Sequence, residues 1–201
     1  MGNGRMISRW PVRTGVVVAD GAAVFAAGLF PVTEGVWLAA VDIASGREIW
    51  KRRIEQPAQG FPAAAAGRLF LPAGRTPPGV FALRDGAPAG TLPGPGGDFV
   101  VAAGDVVATG PGEAAGEVVL ADAATRGEIA TLHGWRLVVA GNRAFVQSRG
   151  TLAAIDLSAY LPPARRRAAA GERIQALKNR NDETAKQEKA GLARQAAAAA
   201  A

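Results

Sequence analysis

Few residues in this chain could do covalent chemistry, and their types already narrow what it can be. There is one histidine, His133, and there are four serines and no cysteine. Thiol nucleophiles, zinc–thiolate sites and disulfides are therefore excluded. A Ser-His-Asp relay or a histidine metal site needs partners brought to His133, and the sequence suggests none; beside Gly134-Trp135, His133 reads as a turn residue. Gly94-Pro95-Gly96-Gly97 and Gly110-Pro111-Gly112 lack the Gly-Lys-Ser/Thr ending of a phosphate loop and open no helix, so they read as connections between strands. Gly74-Arg75-Thr76-Pro77-Pro78-Gly79 is more distinctive, because a rigid proline pair presents an arginine and a threonine together. Arg75 and Thr76 are the candidate ligand contacts, in a loop that otherwise serves as a stiff connector.

Charge has to be located before it means anything. The net charge is +6, but from Arg165 onward there are nine Lys/Arg against four Asp/Glu, and residues 1–162 hold fourteen against thirteen. The basic character lies in the C-terminal segment, where Arg165, Arg166, Arg167, Lys178 and Arg180 would form the nearest thing to a polyanion-binding face. Glu172, Asp182, Glu183 and Glu188 interleave with them, so a solvated helix fits better and nucleic acid is not the expected partner. No apolar run is long enough to cross a bilayer, and Met1–Met6 has no secretory apolar region.

The elements that would position these residues come from a repeat. An apolar run, a Gly/Asp turn, a second apolar run, a Gly/Pro loop and a third strand ending at an acidic turn recur four times, over about 14–55, 56–93, 96–133 and 135–160. Gly67, Gly104 and Gly141 are 37 residues apart; Gly21 to Gly67 is 46, the excess lying in the loop Phe30–Gly35. The runs are short, rich in Val, Phe and Leu, and bounded by Gly, Asp and Asn, which are strand and hairpin signals. Their lack of clean alternation predicts sheets buried on both faces. A period near 40 with three or four strands per unit predicts propeller blades over residues 1–162. The fold class expected is all-β, with about four antiparallel sheets and a C-terminal α-helical segment over 163–201.

One stretch makes the reading specific. Leu38-Ala39-Ala40-Val41-Asp42-Ile43-Ala44-Ser45-Gly46-Arg47-Glu48-Ile49-Trp50 resembles the repeat of pyrroloquinoline-quinone-like, or quinoprotein-like, β-propellers. The signature residues are Asp42, Gly46 and Trp50, with Asp122 and Asp156 in later copies. The Asp would cap a tight turn, the Gly would take a positive φ, and the Trp would fill the gap between blades. Asp122–Ile129 reads as a copy with one inserted residue, ending in Ala130 rather than Trp, and Arg84-Asp85-Gly86 as a shortened one. The resemblance covers about 140 residues.

It implies a ring of seven or eight blades, so four imply a fragment or a ring completed by further blades from the same or another chain, with a closed ring of four as the lower-ranked alternative. It also implies an extracytoplasmic, periplasmic setting. Quinone-dependent dehydrogenases of this kind hold the quinone between a stacked Trp and, in many members, a vicinal disulfide, with calcium on Glu, Asn and Asp. No cysteine and no matching carboxylate cluster stands here, and Trp10, Trp37, Trp50 and Trp135 read as packing between blades. No cofactor is expected. The function expected is a non-catalytic scaffold or binding module for protein or ligand, with a dehydrogenase fragment and polyanion binding by the tail as alternatives. After Pro162-Pro163 a helix is predicted from Ala164 to Gln195, Pro163 in its first turn, broken near Asn179–Asp182.

Overall fold

The computed structural model describes residues 8–110, 116–178, 180 and 182–200. Met1–Met6 and most of the Gly110-Pro111-Gly112 cluster lie outside them, as do Asn179 and Asn181. Fifteen strands form four antiparallel sheets, each a meander in chain order. The first holds β1 (Val17–Ala19), β2 (Ala22–Ala27), β3 (Val36–Asp42) and β4 (Glu48–Ile54). The second holds β5 (Ala63–Ala65), β6 (Arg68–Leu71), β7 (Gly79–Ala82) and β8 (Pro88–Thr91). The third holds β9 (Phe99–Ala103), β10 (Val106–Gly110), β11 (Glu117–Asp122) and β12 (Glu128–His133). The fourth has three strands, β13 (Arg136–Ala140), β14 (Arg143–Ser148) and β15 (Thr151–Asp156).

The first strands of successive sheets are neighbours, β1 to β5, β5 to β9 and β9 to β13. Parallel bridges join Thr14 to Gly60 and Phe61 to Phe99. The sheets therefore radiate as blades, with their opening strands innermost. Three separate cores lie between them. Val24, Leu38, Leu69, Leu71 and Phe81 fill the gap between blades 1 and 2. Phe70, Val80, Leu92, Val100 and Val107 fill the next. Val106, Leu120, Leu137, Val146 and the helical Leu157 and Ala164 fill the third.

Position in the row explains the hydrophobic pattern. In blades 2 and 3, β6, β7, β10 and β11 are buried almost throughout, as strands between two neighbours must be. In blade 1, β2 alternates strictly, and in blade 4 β14 does so in part, since one face of each end blade has no described neighbour.

Two helices follow, α1 (Leu157–Ala176) and α2 (Glu183–Ala198), packed on each other and broken where the Asn-Arg-Asn-Asp run lies. The helix starts ahead of the proline pair, not at it. Asp156, ending β15, caps it at once: its Oδ1 accepts from Ser158 N at 2.9 Å, Ser158 Oγ at 2.6 Å and Ala159 N at 3.3 Å. Pro162 and Pro163 then fall in the second turn, where they leave the carbonyls of Ser158 and Ala159 without intrahelical donors. Burial of Leu157 and Ala164 against blades 3 and 4 offsets that cost.

Candidate functional site

Blades 1, 2 and 3 turn from their third to their fourth strand through the same hydrogen bonds. In blade 1 the Asp42 N–H donates to Arg47 O at 2.8 Å and the Gly46 N–H to Asp42 O at 2.9 Å. Ala82 with Ala87 and Gly86 repeats this in blade 2, and Asp122 with Gly127 and Arg126 in blade 3. All three turns have one length, so the inserted residue in blade 3 and the shortening in blade 2 suggested by the sequence are not there. The left-handed position of the turn is Gly46 (φ 69°), Gly86 (φ 68°) and Arg126 (φ 69°). The glycine that resembles the turn glycine in sequence, Gly127, stands one place later. An arginine holds a conformation that disfavours any Cβ.

The turn carboxylates of blades 1 and 3 accept hydrogen bonds from groups of their own turns. Asp42 Oδ1 accepts from Ser45 N (2.7 Å) and Ser45 Oγ (2.6 Å); Asp122 Oδ1 accepts from Thr125 N (2.8 Å), Ala124 N (3.0 Å) and Thr125 Oγ1 (3.1 Å). These bonds hold both carboxyls below the usual carboxylate range, chiefly the Ser45 hydroxyl bond for Asp42 and the Thr125 amide for Asp122. Asp156 is lowered in the same way, first by the Ser158 hydroxyl, but it caps a helix instead of a turn. In blade 4 the chain passes directly from the third strand into the helix, at the point in sequence where the other blades make a turn and fourth strand: Leu157 N–H bonds Asn142 O at 2.9 Å, as Ala123 bonds Asp105 in blade 3.

Trp50 and Arg126 explain how adjacent blades are keyed. Trp50, on β4, donates its indole N–H to Leu83 O of blade 2 at 3.0 Å. Its ring lies against Gly86, where a Cβ would come within 2.6 Å of Trp50 Cζ3. At the next interface the large and small partners exchange sides. Gly90 occupies the position of Trp50 in blade 2, and Arg126 occupies the position of Gly86 in blade 3. The Arg126 guanidinium reaches back over Gly90 and donates from Nη1 to Ala89 O; a Cβ on Gly90 would collide with it. Sequence reading missed Arg126, because an arginine at a glycine position looks like noise until the blades are side by side.

Trp10 and Trp37 pack within blade 1 and not between blades as expected, whereas Trp135 does lie against the neighbouring blade, where a Cβ on Gly116 would come within 3.1 Å of its Nε1. Trp37 meets Trp10 edge-on at 6.4 Å and carries Lys51 Nζ 5.3 Å from its ring, all within blade 1. Trp135 is 42% exposed at the start of blade 4, with the Arg149 guanidinium 5.9 Å from its ring. The main cleft in the blades, about 510 Å³, lies over the first interface; Ile49, Trp50 and Leu83 form its apolar wall, with Asp20 and Arg84 at its rim.

Arg75 and Thr76 are both exposed, in the connection from β6 to β7, away from that cleft. Gly74 N donates to Gly97 O at 3.0 Å, which ties this loop to the Gly94–Gly97 connection. The structure thus brings the Arg75 loop and one glycine cluster together by backbone contact. His133 is exposed at the end of β12. Among the described residues no three His, Asp or Glu cluster as metal ligands, and Trp50 and Trp37 are each engaged by protein groups. The donors present do not fit the quinone–calcium arrangement that the resemblance brings to mind.

Arg165 joins the tail to the blades, with Nη2 at 2.7 Å from Asp105 and 3.6 Å from Asp122. Arg173 pairs with Glu188, Arg180 with Asp182, and Lys186 with Glu183. Arg166, Arg167 and Lys178 take part in no salt bridge among the described residues. Within those residues no helix is long and apolar enough to cross a membrane.

No protein-family model matches the chain, and no curated protein matches its sequence. Its fold is similar to that of BamB from Moraxella catarrhalis, with a TM-score of 0.56 and 18% identity over 73% of this chain and 47% of that one. It is similar also to the computationally designed proteins Ika4 and Ika8. For Ika4 the TM-score is 0.56 and the identity 12%, over 75% of this chain and 93% of that one. For Ika8 they are 0.54 and 14%, over 71% and 45%. The chain spans about half the length of BamB. With its four radiating sheets, its keyed interfaces and these likenesses, the chain carries a β-propeller fold.

Proposed function

We propose that the chain is a non-catalytic propeller scaffold that binds protein through the apolar outer faces of its first and fourth blades. The observation that carries this is where the exposed apolar side chains lie. Val16 and Val18 of blade 1 are 56% and 62% exposed, and Val138 and Leu152 of blade 4 are 62% and 69%. Strand register groups them into faces: Val18, Ala23 and Val41 align across blade 1, and Val138, Phe145 and Ala154 across blade 4. The corresponding faces of blades 2 and 3 are buried against neighbours. Apolar faces of this kind mark interaction surfaces, and what fits them is another sheet, from further blades or from a partner. The carboxylates held low are those that cap turns and helices, which supports a structural role for them.

The test is self-association and dye binding. Residues 1–201 should bind an apolar fluorescent dye and associate in a concentration series by sedimentation velocity. A Val18→Glu/Val138→Glu variant should lose both while keeping its circular dichroism. A wild-type chain that stays monomeric and dye-free, or a variant indistinguishable from it, would overturn the proposal.

A further inference from the structure

Among the described residues the four sheets have four outer strand edges, and one of these is unguarded. An exposed edge is a row of unpaired N–H and C=O groups, and proteins protect it with charge, proline or cover. β4 carries Lys51, Arg52 and Arg53. β8 opens on Pro88 and has its Ala89 carbonyl taken by Arg126. β12 starts beneath α1. β15 reads Thr-Leu-Ala-Ala-Ile-Asp, without Lys, Arg or Pro, and five of its six residues are exposed. The chain leaves it directly for α1, so the fourth strand that the other three blades possess is missing beside it.

We infer that β15 accepts an extended segment of a protein partner as the fourth strand of its blade, antiparallel to it and acidic at its first residue. This rests on the scaffold reading but uses a strand edge instead of the blade faces. The space is there. A groove of about 480 Å³ runs between Ala154–Asp156, Tyr160 and Arg167 of α1, and Ala198–Ala200. The backbone groups are also available. Arg149-Gly150 is a two-residue turn, so Ser148 and Thr151 exchange both hydrogen bonds across it, and Leu152 and Ala154 point theirs outward.

Charge fixes direction. The fourth strands of blades 1 and 3 both begin with glutamate at the turn end, Glu48 and Glu128. The same position beside β15 falls in the groove that Arg167 lines with Ile155, and no salt bridge reaches Arg167 among the described residues. Recognition is therefore strand addition, with main-chain bonds for affinity and one ion pair for register.

A fluorescein-labelled peptide with the sequence Gly127–His133 is a suitable probe, read by anisotropy against residues 1–201. One-to-one saturable binding is expected, with slowed amide exchange at Leu152 and Ala154. Ala154→Pro, which removes an outward donor, and Leu152→Lys, which guards the edge, should each weaken it about tenfold at unchanged circular dichroism. Arg167→Glu should weaken it about fivefold, and a peptide with lysine in place of its glutamate should restore that loss. No binding, binding unaffected by both β15 variants, or protection confined to the blade faces would overturn the inference. So would a dimer joined edge to edge that Ala154→Pro converts to monomer, since the occupant would then be a second copy. The dye and sedimentation behaviour of the blade faces is read separately and can fail on its own.

Discussion

Replacing Arg126 separates two registers of the third repeat. Sequence similarity puts the turn glycine at Gly127; the structure puts the left-handed residue at Arg126 (φ 69°) and leaves Gly127 in ordinary backbone with open surroundings, its nearest neighbours for a Cβ at 3.4 Å. Arg126→Ala keeps a Cβ in the left-handed region, which costs about 1 kcal/mol, and gives up the guanidinium bond to Ala89 O together with the stem packed over Gly90. A hydrogen bond from a charged group contributes about 1.5–3 kcal/mol. The lower end applies, because Arg126 is half-buried and its Nε lies buried without a partner. Arg126→Ala should therefore destabilise by about 2 kcal/mol, and Arg126→Gly by about 1 kcal/mol, since glycine recovers the strain. Gly127→Ala should stay within about 0.5 kcal/mol of wild type. Urea unfolding followed by circular dichroism measures all three; in a chain of this size 1 kcal/mol moves the melting temperature about 2–4 °C. If Gly127→Ala costs more than Arg126→Ala, or if Arg126→Gly is no more stable than Arg126→Ala, the assignment of the left-handed position is wrong.

Three further outcomes follow from the same geometry. Trp50→Ala removes both the wedge on Gly86 and the bond to Leu83 O, and should cost about 3 kcal/mol in urea unfolding; Trp50→Phe should recover part of this, and a loss equal to that of alanine would count against the wedge. Asp42, Asp122, Asp156 and Asp182 are all held below the ordinary carboxylate value, so the stability they contribute is present above that value and is lost as pH falls through their folded values. Asp156→Ala should accordingly lower the melting temperature at neutral pH, and its effect should shrink as the pH falls below the ordinary carboxylate value of about 4; an effect that does not shrink with acidification would refute the cap. Arg165→Ala should cost about 1 kcal/mol and reduce the salt sensitivity of melting, because the ion pairs with Asp105 and Asp122 are partly exposed and are screened at 1 M salt, where the Debye length is about 3 Å. An unchanged salt dependence would mean that α1 docks by apolar contact alone.

Much of the architecture was legible in the residues because it depends on local chemistry. Short Val-, Leu- and Phe-rich runs bounded by Gly, Asp and Asn form hairpins wherever they occur, so four sheets and the Asp42 turn could be read directly. Asp182 starts the second helix by capping it, for equally local reasons. What the chain alone left open depends on what lies beside each residue. Nothing in the sequence of Arg126 shows a left-handed turn, since that conformation is sustained by Gly90 across the interface. Trp37 and Trp50 look alike in sequence, yet only Trp50 finds a neighbouring blade's carbonyl. Pro162-Pro163 appeared to be the place where a strand gives way to a helix. The capping carboxylate of Asp156 and the buried Leu157 and Ala164 move that start upstream to the end of β15. For the candidate sites, sequence located Arg75 and Thr76 on an exposed loop, whereas the open edge of β15 emerged only when its three counterparts were seen to be guarded. Local hydrogen bonding and backbone freedom decide which segments become strands, turns and helices. Which faces, edges and charges are left without a neighbour is decided by packing, because burial is a property of the pair and not of either partner.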